Sequence, residues 1–240
     1  MNPDTFQPDR TTVGEVVANN YHAAGIFKAY GLDFCCGGGE TIASACAKRE
    51  IDADEVISKL RNIPWKSVSA GENFQAWEPS YLIDHIVEHH HRFVREKSLE
   101  IEGYAAKVAR VHGERHPENI EIYNTFMALA AEMESHMNDE EQRAFPLIQS
   151  VIDERASGKV PGEEMLKALR EELDQMVSEH EEAGDLMAKI RELTRDFNPP
   201  AEACATWRIL YQNLEGFEDD LHKHVHLENN ILFRKAEKLL

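Results

Sequence analysis

At 240 residues the chain is long enough to bury a core in one large domain or in two unequal ones. Its 26 Lys and Arg stand against 44 Asp and Glu, a formal charge of −18, and a field of that sign disfavours nucleic acid and anionic membranes while favouring cations. No apolar run approaches the ~20 residues that span a bilayer, so neither a membrane nor a nucleic acid is an expected partner.

Residues 1–12 are polar and lack the basic and apolar regions of a secretory signal, which makes the cytoplasm the expected compartment. Thr12-Val-Gly-Glu15 reads as a capping box that opens a helix carrying Val16, Val17, Tyr21, Ala24 and Phe27 and stopping at Gly31. The following stretch holds Cys35, Cys36 and three successive glycines, a tight connection that no helix would hold cheaply. A short helix is predicted from about Glu40 to Arg49. Asp52-Ala-Asp-Glu55, a second capping box, opens another that runs to about Arg61. Residues 1–63 therefore read as a small helical domain, of a size that is marginal alone.

Residues 64–78 contain Pro, Gly and Ser without periodicity and read as a linker. From 79 to 240 the pattern changes to long amphipathic helices: A from about Ser80 to Val111, B from about Glu118 to Arg155, C from about Glu163 to Leu193, and D from about Ala201 onward. Four such helices with short joints form an up-down-up-down four-helix bundle, and no β pattern competes, so the predicted class is all-α.

Twelve histidines need an explanation, and their placement supplies one. His136-x3-Glu140-x4-Phe145 on helix B recurs on helix D as His224-x3-Glu228-x4-Phe233. Positions i and i+4 share a helix face about 6 Å apart, so each pair can offer an imidazole and a carboxylate to one centre. Mixed nitrogen and oxygen ligands suit iron, manganese or zinc. The plainer reading is a pair of exposed i,i+4 ion pairs. Apolar neighbours weigh against it: Met133, Met137 and Ile148 on helix B, Leu221, Val225 and Ile231 on helix D. His180 on helix C sits among Met176, Val177 and Met187. On helix A the apolar stripe through Ile83, Ile86, Val87, Phe93 and Val94 centres nearest His90, with His91 at its edge.

Counting 1.5 Å per residue from shared turns sets His91, the His136–Glu140 pair and His180 at one height. Equal arms put the ligands of helix D near Phe217, about ten residues early. An extended connection from Arg195 to Pro200 is predicted to absorb that offset.

The chain resembles the Repair of Iron Centers family, of ScdA/YtfE type, over nearly its whole length. The resemblance rests on Asp33-Phe-Cys-Cys-Gly-Gly38, Ile83-Asp-His-Ile-Val87 leading to His90-His91, and Ser135-His-Met137 through Glu140-Glu141. It continues through Ser178-Glu-His-Glu-Glu-Ala-Gly184, Pro200-Ala-Glu-Ala-Cys204 and the His224 to Phe233 stretch. It implies a hemerythrin-like bundle with two non-haem iron ions, oxo- or hydroxo-bridged. Its ligands fall on His91, His136, Glu140, His180, His224 and Glu228, with Glu140 and Glu228 bridging. It selects His91 over His90. It also implies repair of iron–sulfur proteins damaged by nitrosative or oxidative stress, with nitric oxide or oxygen as small ligands.

Cys35 and Cys36 are the expected reactive pair, in a turn whose backbone N–H groups would stabilise a thiolate. Adjacent cysteines pair only with strain, so reduced thiols are expected. Cys46 and Cys204 read as core, and His22, His85, His112, His116, His222 and His226 as surface groups or groups that orient ligands. His180 is followed at i+4 by Gly184, where an oxygen carrier would place another His. The sequence therefore reads as an iron-donating repair factor, monomeric or homodimeric, rather than a turnover enzyme. The alternatives are a hemerythrin-like oxygen or nitric oxide binding protein and a di-iron nitric oxide reductase.

Overall fold

The computed structural model describes residues 6–65 and 73–240. Among them the only extended pairing is a single antiparallel bridge between Thr12 and Thr41; every regular element is helical. No helix is long and apolar enough to cross a membrane among these residues. The centre of the predicted linker, residues 66–72, lies outside the described set. The chain divides into two compact units, residues 1–83 with 223–240, and residues 84–222.

The first unit holds α1 (Val13–Asn19), α2 (His22–Ala29), α3 (Ile42–Ala47) and α4 (Ala53–Arg61). Thr12 caps α1 as predicted, accepting from Glu15 N–H while Glu15 reaches back to Thr12 N–H. The single helix expected from there to Gly31 is broken into α1 and α2, and buried Asn20 is the cause. Its backbone turns extended at φ −157° to end α1, and its Oδ1 accepts from His22 N–H at the start of α2. Thr41 caps α3 and Asp52 caps α4. In place of the second predicted box, the Glu55 carboxylate accepts from Tyr30 Oη–H at 2.5 Å. Val13, Val16, Phe27, Ile42, Val56 and Leu60 are fully buried, each worth about 1.5–3 kcal/mol on removal from water. The same unit includes the chain's end, a π turn at Glu228–Leu232 followed by α11 (Phe233–Glu237).

From Pro79 onward the long helices follow the predicted periods. α5 (Pro79–His85), a π turn at Ile86–His91 and α6 (Arg92–His112) form the run predicted as helix A. α7 (Glu118–Asp139), a π turn at Glu140–Ala144 and α8 (Phe145–Ala156) form helix B, and α9 (Glu163–Leu193) forms helix C. α10 (Ala205–Leu227) starts four residues later than predicted. Its apolar face buries Trp207, Leu210, Leu214 and Phe217, and Phe217 meets Phe126 of α7 edge-on with ring centroids 5.5 Å apart.

The connection before α10 is not extended at its start. Arg195, Asp196 and Phe197 have φ of 52°, 56° and 55°, a left-handed turn that L-residues adopt at a cost of about 1–2 kcal/mol each. Three contacts hold it. Phe197 N–H donates to Thr194 Oγ1, the Phe197 ring is buried, and the Arg191 guanidinium lies 4.8 Å above that ring. Arg191 is itself fixed by Glu218 and Asp196.

Candidate metal centre and cysteine loop

Each of the three π turns carries a predicted ligand at an end: His91 closes the first, Glu140 opens the second and Glu228 opens the third. A π turn inserts one residue into the helical count and is concentrated at functional sites. It bears on helix A, where His90 and His91 are the rival ligands. A 3.6-residue stripe drawn through residues 83–94 centres on His90, but the added residue shifts the phase. His91 is fully buried 3.3 Å from Glu140, while His90 Nδ1 donates to Asp220 Oδ1 at 2.9 Å.

Four of the predicted ligands meet inside the second unit. His91 Nε2 and His136 Nε2 lie 3.3 and 3.4 Å from Glu140 Oε2, and His180 Nε2 lies 2.9 Å from His136 Nε2. Two ligands bound at about 2.1 Å and at right angles stand about 3.0 Å apart, so each of these spacings suits neighbouring corners of a coordination shell. The donors fall in two groups, His136 with His180 and Glu140, and His91 with Glu140, so that Glu140 is common to both.

The far side of each ring fixes its tautomer. His91 Nδ1 lies 2.7 Å from Glu141 Oε1, and His136 Nδ1 lies 2.7 Å from Glu179 Oε2. An ionised carboxylate only accepts, so Nδ1 carries the proton in both and Nε2 keeps its lone pair for a cation. Arg95 donates to Glu141 at 2.9 Å and Gln175 to Glu179 at 2.7 Å. The hydrogen bond from His136 holds the Glu179 carboxyl below the usual range against the opposing effect of burial. At Glu141 burial pushes upward, but the bonds from His91 and Arg95 outweigh it and the carboxyl is held low.

Glu140 is wholly buried with imidazoles around one oxygen. A buried carboxylate costs several kcal/mol unless a charge offsets it, and neutral imidazoles carry none. The donor set therefore fits a cation. Phe145, the last residue of the first repeat, stacks on the His91 ring at 5.8 Å and 21°.

In the first unit the second repeat has the same local form. His224 Nε2 lies 2.9 Å from Glu228 Oε1, both are fully buried, and the π turn leads to buried Phe233. On that turn Asn230 faces the cysteine loop. Its Nδ2 donates to Phe34 O at 3.2 Å and to Cys35 O at 3.0 Å, and a Cβ at Gly14 or Gly38 would overlap its Oδ1. His226, one turn earlier, packs against the Phe34 and Tyr21 rings at 5.9 and 6.0 Å, and burial pushes its pKa down to about 4.

The cysteine loop itself differs from expectation. The N–H groups of Cys35, Cys36 and Gly37 donate to the Asp33 carboxylate at 2.9, 3.1 and 2.8 Å, not to a thiolate. The Cys36 thiol, burial and Asp33 together hold the Cys35 thiol well above its ordinary pKa. Cys46 is buried as predicted. Cys204, expected in the core, is exposed, with His112 Nε2 3.4 Å from its sulfur, because α10 begins one residue after it.

Glu141, Glu179, Asp220 and Asn230 escaped the sequence reading. Adjacency was the available signal for two of them, since Glu141 follows Glu140 and Glu179 precedes His180. Asn230 carried none, because its partners lie some 195 residues away in sequence.

A helical protein with buried histidine–carboxylate clusters of this kind falls in the hemerythrin-like cation-binding class. Residues 82–236 match the Hemerythrin HHE cation binding domain, and residues 9–63 match ScdA_N, described as a domain of unknown function. The chain is 33% identical to the iron-sulfur cluster repair protein ScdA of Staphylococcus haemolyticus over 95% of its length and 98% of that protein. It is 35% identical to the iron-sulfur cluster repair protein YtfE of Salmonella typhimurium, covering 93% and 95%. It belongs to the ScdA/YtfE family.

Proposed function

We propose that the chain binds two non-haem iron ions through His91, His136, Glu140, His180, His224 and Glu228, with Glu140 and Glu228 bridging, and uses them in repairing iron–sulfur clusters. The observation that carries this reading is buried Glu140, which lies at ligand-edge distance from His136, itself beside His180, and separately from His91. The cation-binding match supports the wider set, since residues 82–236 include all six. Relatives named for iron–sulfur cluster repair over nearly the whole chain support the function.

Bound iron supplies a redox couple and coordination positions for small ligands, nitric oxide and oxygen being those proposed. The chain's own side chains do the rest. Glu141 and Glu179 keep the protons of His91 and His136 on Nδ1, and Arg95 keeps Glu141 ionised. Phe145 covers the His91 ring, and Met133 and Met137 are buried on the same helical run. Four histidines for two irons leave a thin nitrogen shell, which suits release of iron to a client more than repeated turnover. We assign residues 1–63 as the cysteine domain and 79–240 as the iron-bearing helices, in a cytoplasmic monomer or homodimer that acts on damaged iron–sulfur proteins.

The test is reactivation of an apo or nitrosylated iron–sulfur enzyme by the reduced protein. Recovery is expected with the wild type and not with His136→Ala or Glu228→Ala. Equal recovery with a metal-free variant would defeat the donor reading.

A further inference from the structure

We propose that Asp33, Cys35 and Cys36 form a second, open site for a thiophilic divalent cation, and that iron(II) passing to or from a client is its natural occupant. The identity of the occupant rests on the repair reading; the site itself rests on the loop.

An Asp33 oxygen and the Cys35 and Cys36 sulfurs all lie within 4.8 Å of one another. The two sulfurs are 3.9 Å apart, and Cys35 Sγ is 3.1 Å from Asp33 Oδ1. A tetrahedral cation with bonds of about 2.3 Å to sulfur and 2.0 Å to oxygen has sulfur–sulfur edges of about 3.8 Å and sulfur–oxygen edges of about 3.5 Å. Two of the three edges thus match such a tetrahedron to within a few tenths of an ångström, and the third, from Cys36 Sγ to Asp33, is within 4.8 Å. A disulfide would need the sulfurs to close to about 2.05 Å across adjacent residues, together with an oxidant. Cation binding needs neither. Two S–H bonds give way to two sulfur–metal bonds, two protons leave to solvent, and no electron moves.

The loop is fixed before any cation arrives. Asp33 accepts three backbone N–H groups, Gly14 N–H donates to Gly38 O at 2.9 Å, and the Asn230 amide holds the carbonyls of Phe34 and Cys35. Ligands held by such supports bind with little reorganisation. Asp33 is exposed and Cys36 half-exposed, so the fourth corner is open to a donor atom from a client, as in metal sites that exchange a ligand.

Cobalt(II), added to the full-length, reduced and iron-loaded protein without oxygen, is the probe, read by X-ray absorption at the cobalt edge. The account expects one tightly bound cobalt with a two-sulfur shell at about 2.3 Å. Cys36→Ser, which leaves the Asp33 bonds intact, should halve that shell. Asp33→Asn, which keeps the accepting oxygen, should weaken binding by roughly tenfold, the scale of a lost or weakened donor. A shell without sulfur, or one unchanged in Cys36→Ser, overturns the site. The same titration on His136→Ala separates the two proposals, because failure of the iron centre would leave the cobalt–sulfur shell in place.

Discussion

Glu140 and Glu228 each lie four residues after a buried histidine, each open a π turn, and each lead to a buried phenylalanine. The residues between glutamate and phenylalanine nevertheless touch different things. In the first copy Glu141 accepts from His91, so the turn serves a neighbouring proposed ligand. In the second, Asn229 and Asn230 stand where Glu141 and Gln142 stand in the first, and Asn230 braces the cysteine loop. One backbone device thus does two jobs: it aims a carboxylate to one side and leaves the next residues to hold whatever lies beyond.

The largest test of this likeness is Glu140→Ala against Glu228→Ala. Both should abolish iron retention through desalting, measured by metal analysis; full retention in one of them would end the equivalence of the two copies. Glu141→Gln sharpens the difference. It removes the accepting charge behind His91 and should lower iron affinity by about 10–100-fold in a competitive chelator titration.

Asn230→Asp is nearly isosteric but presents oxygen where two carbonyls need a donor. Alkylation of Cys36 should quicken by roughly tenfold, about 1.4 kcal/mol of lost bracing, while iron affinity stays within about twofold. Gln142→Glu, at the matching position of the first copy, should change neither. Phe145→Leu and Phe233→Leu are expected to cost about 1–2 kcal/mol each in urea unfolding. Phe145→Leu should also weaken iron, because that ring is stacked on His91, a proposed ligand.

What the sequence made legible follows from range. Local rules placed the Thr12 cap, the span of α9 and the face of α7, because each depends on residues within a few turns. The repeat was visible because i,i+4 spacing survives up to the glutamate, and the π turn comes only after it. On helix A the π turn lies before the proposed ligand His91, so straight periodicity centred on His90 and only the family resemblance pointed to His91. Asn20 broke a predicted helix because its side chain serves the next element, which no period reports. The left-handed turn at Arg195–Phe197 was hidden for the same reason: Thr194, Arg191 and Glu218 hold it, and none is a glycine. The Asp33 carboxylate likewise claimed the N–H groups that sequence reasoning had assigned to a thiolate.

The central physical claim is that buried imidazoles and carboxylates here are a metal's donor atoms. Iron analysis of protein reconstituted without oxygen and freed of loose metal tests it most directly. Two irons per wild-type chain, and none in a His136→Ala, Glu140→Ala double variant that still folds, is the predicted result. A wild type that folds fully and retains no iron, or a double variant that keeps both, would contradict it.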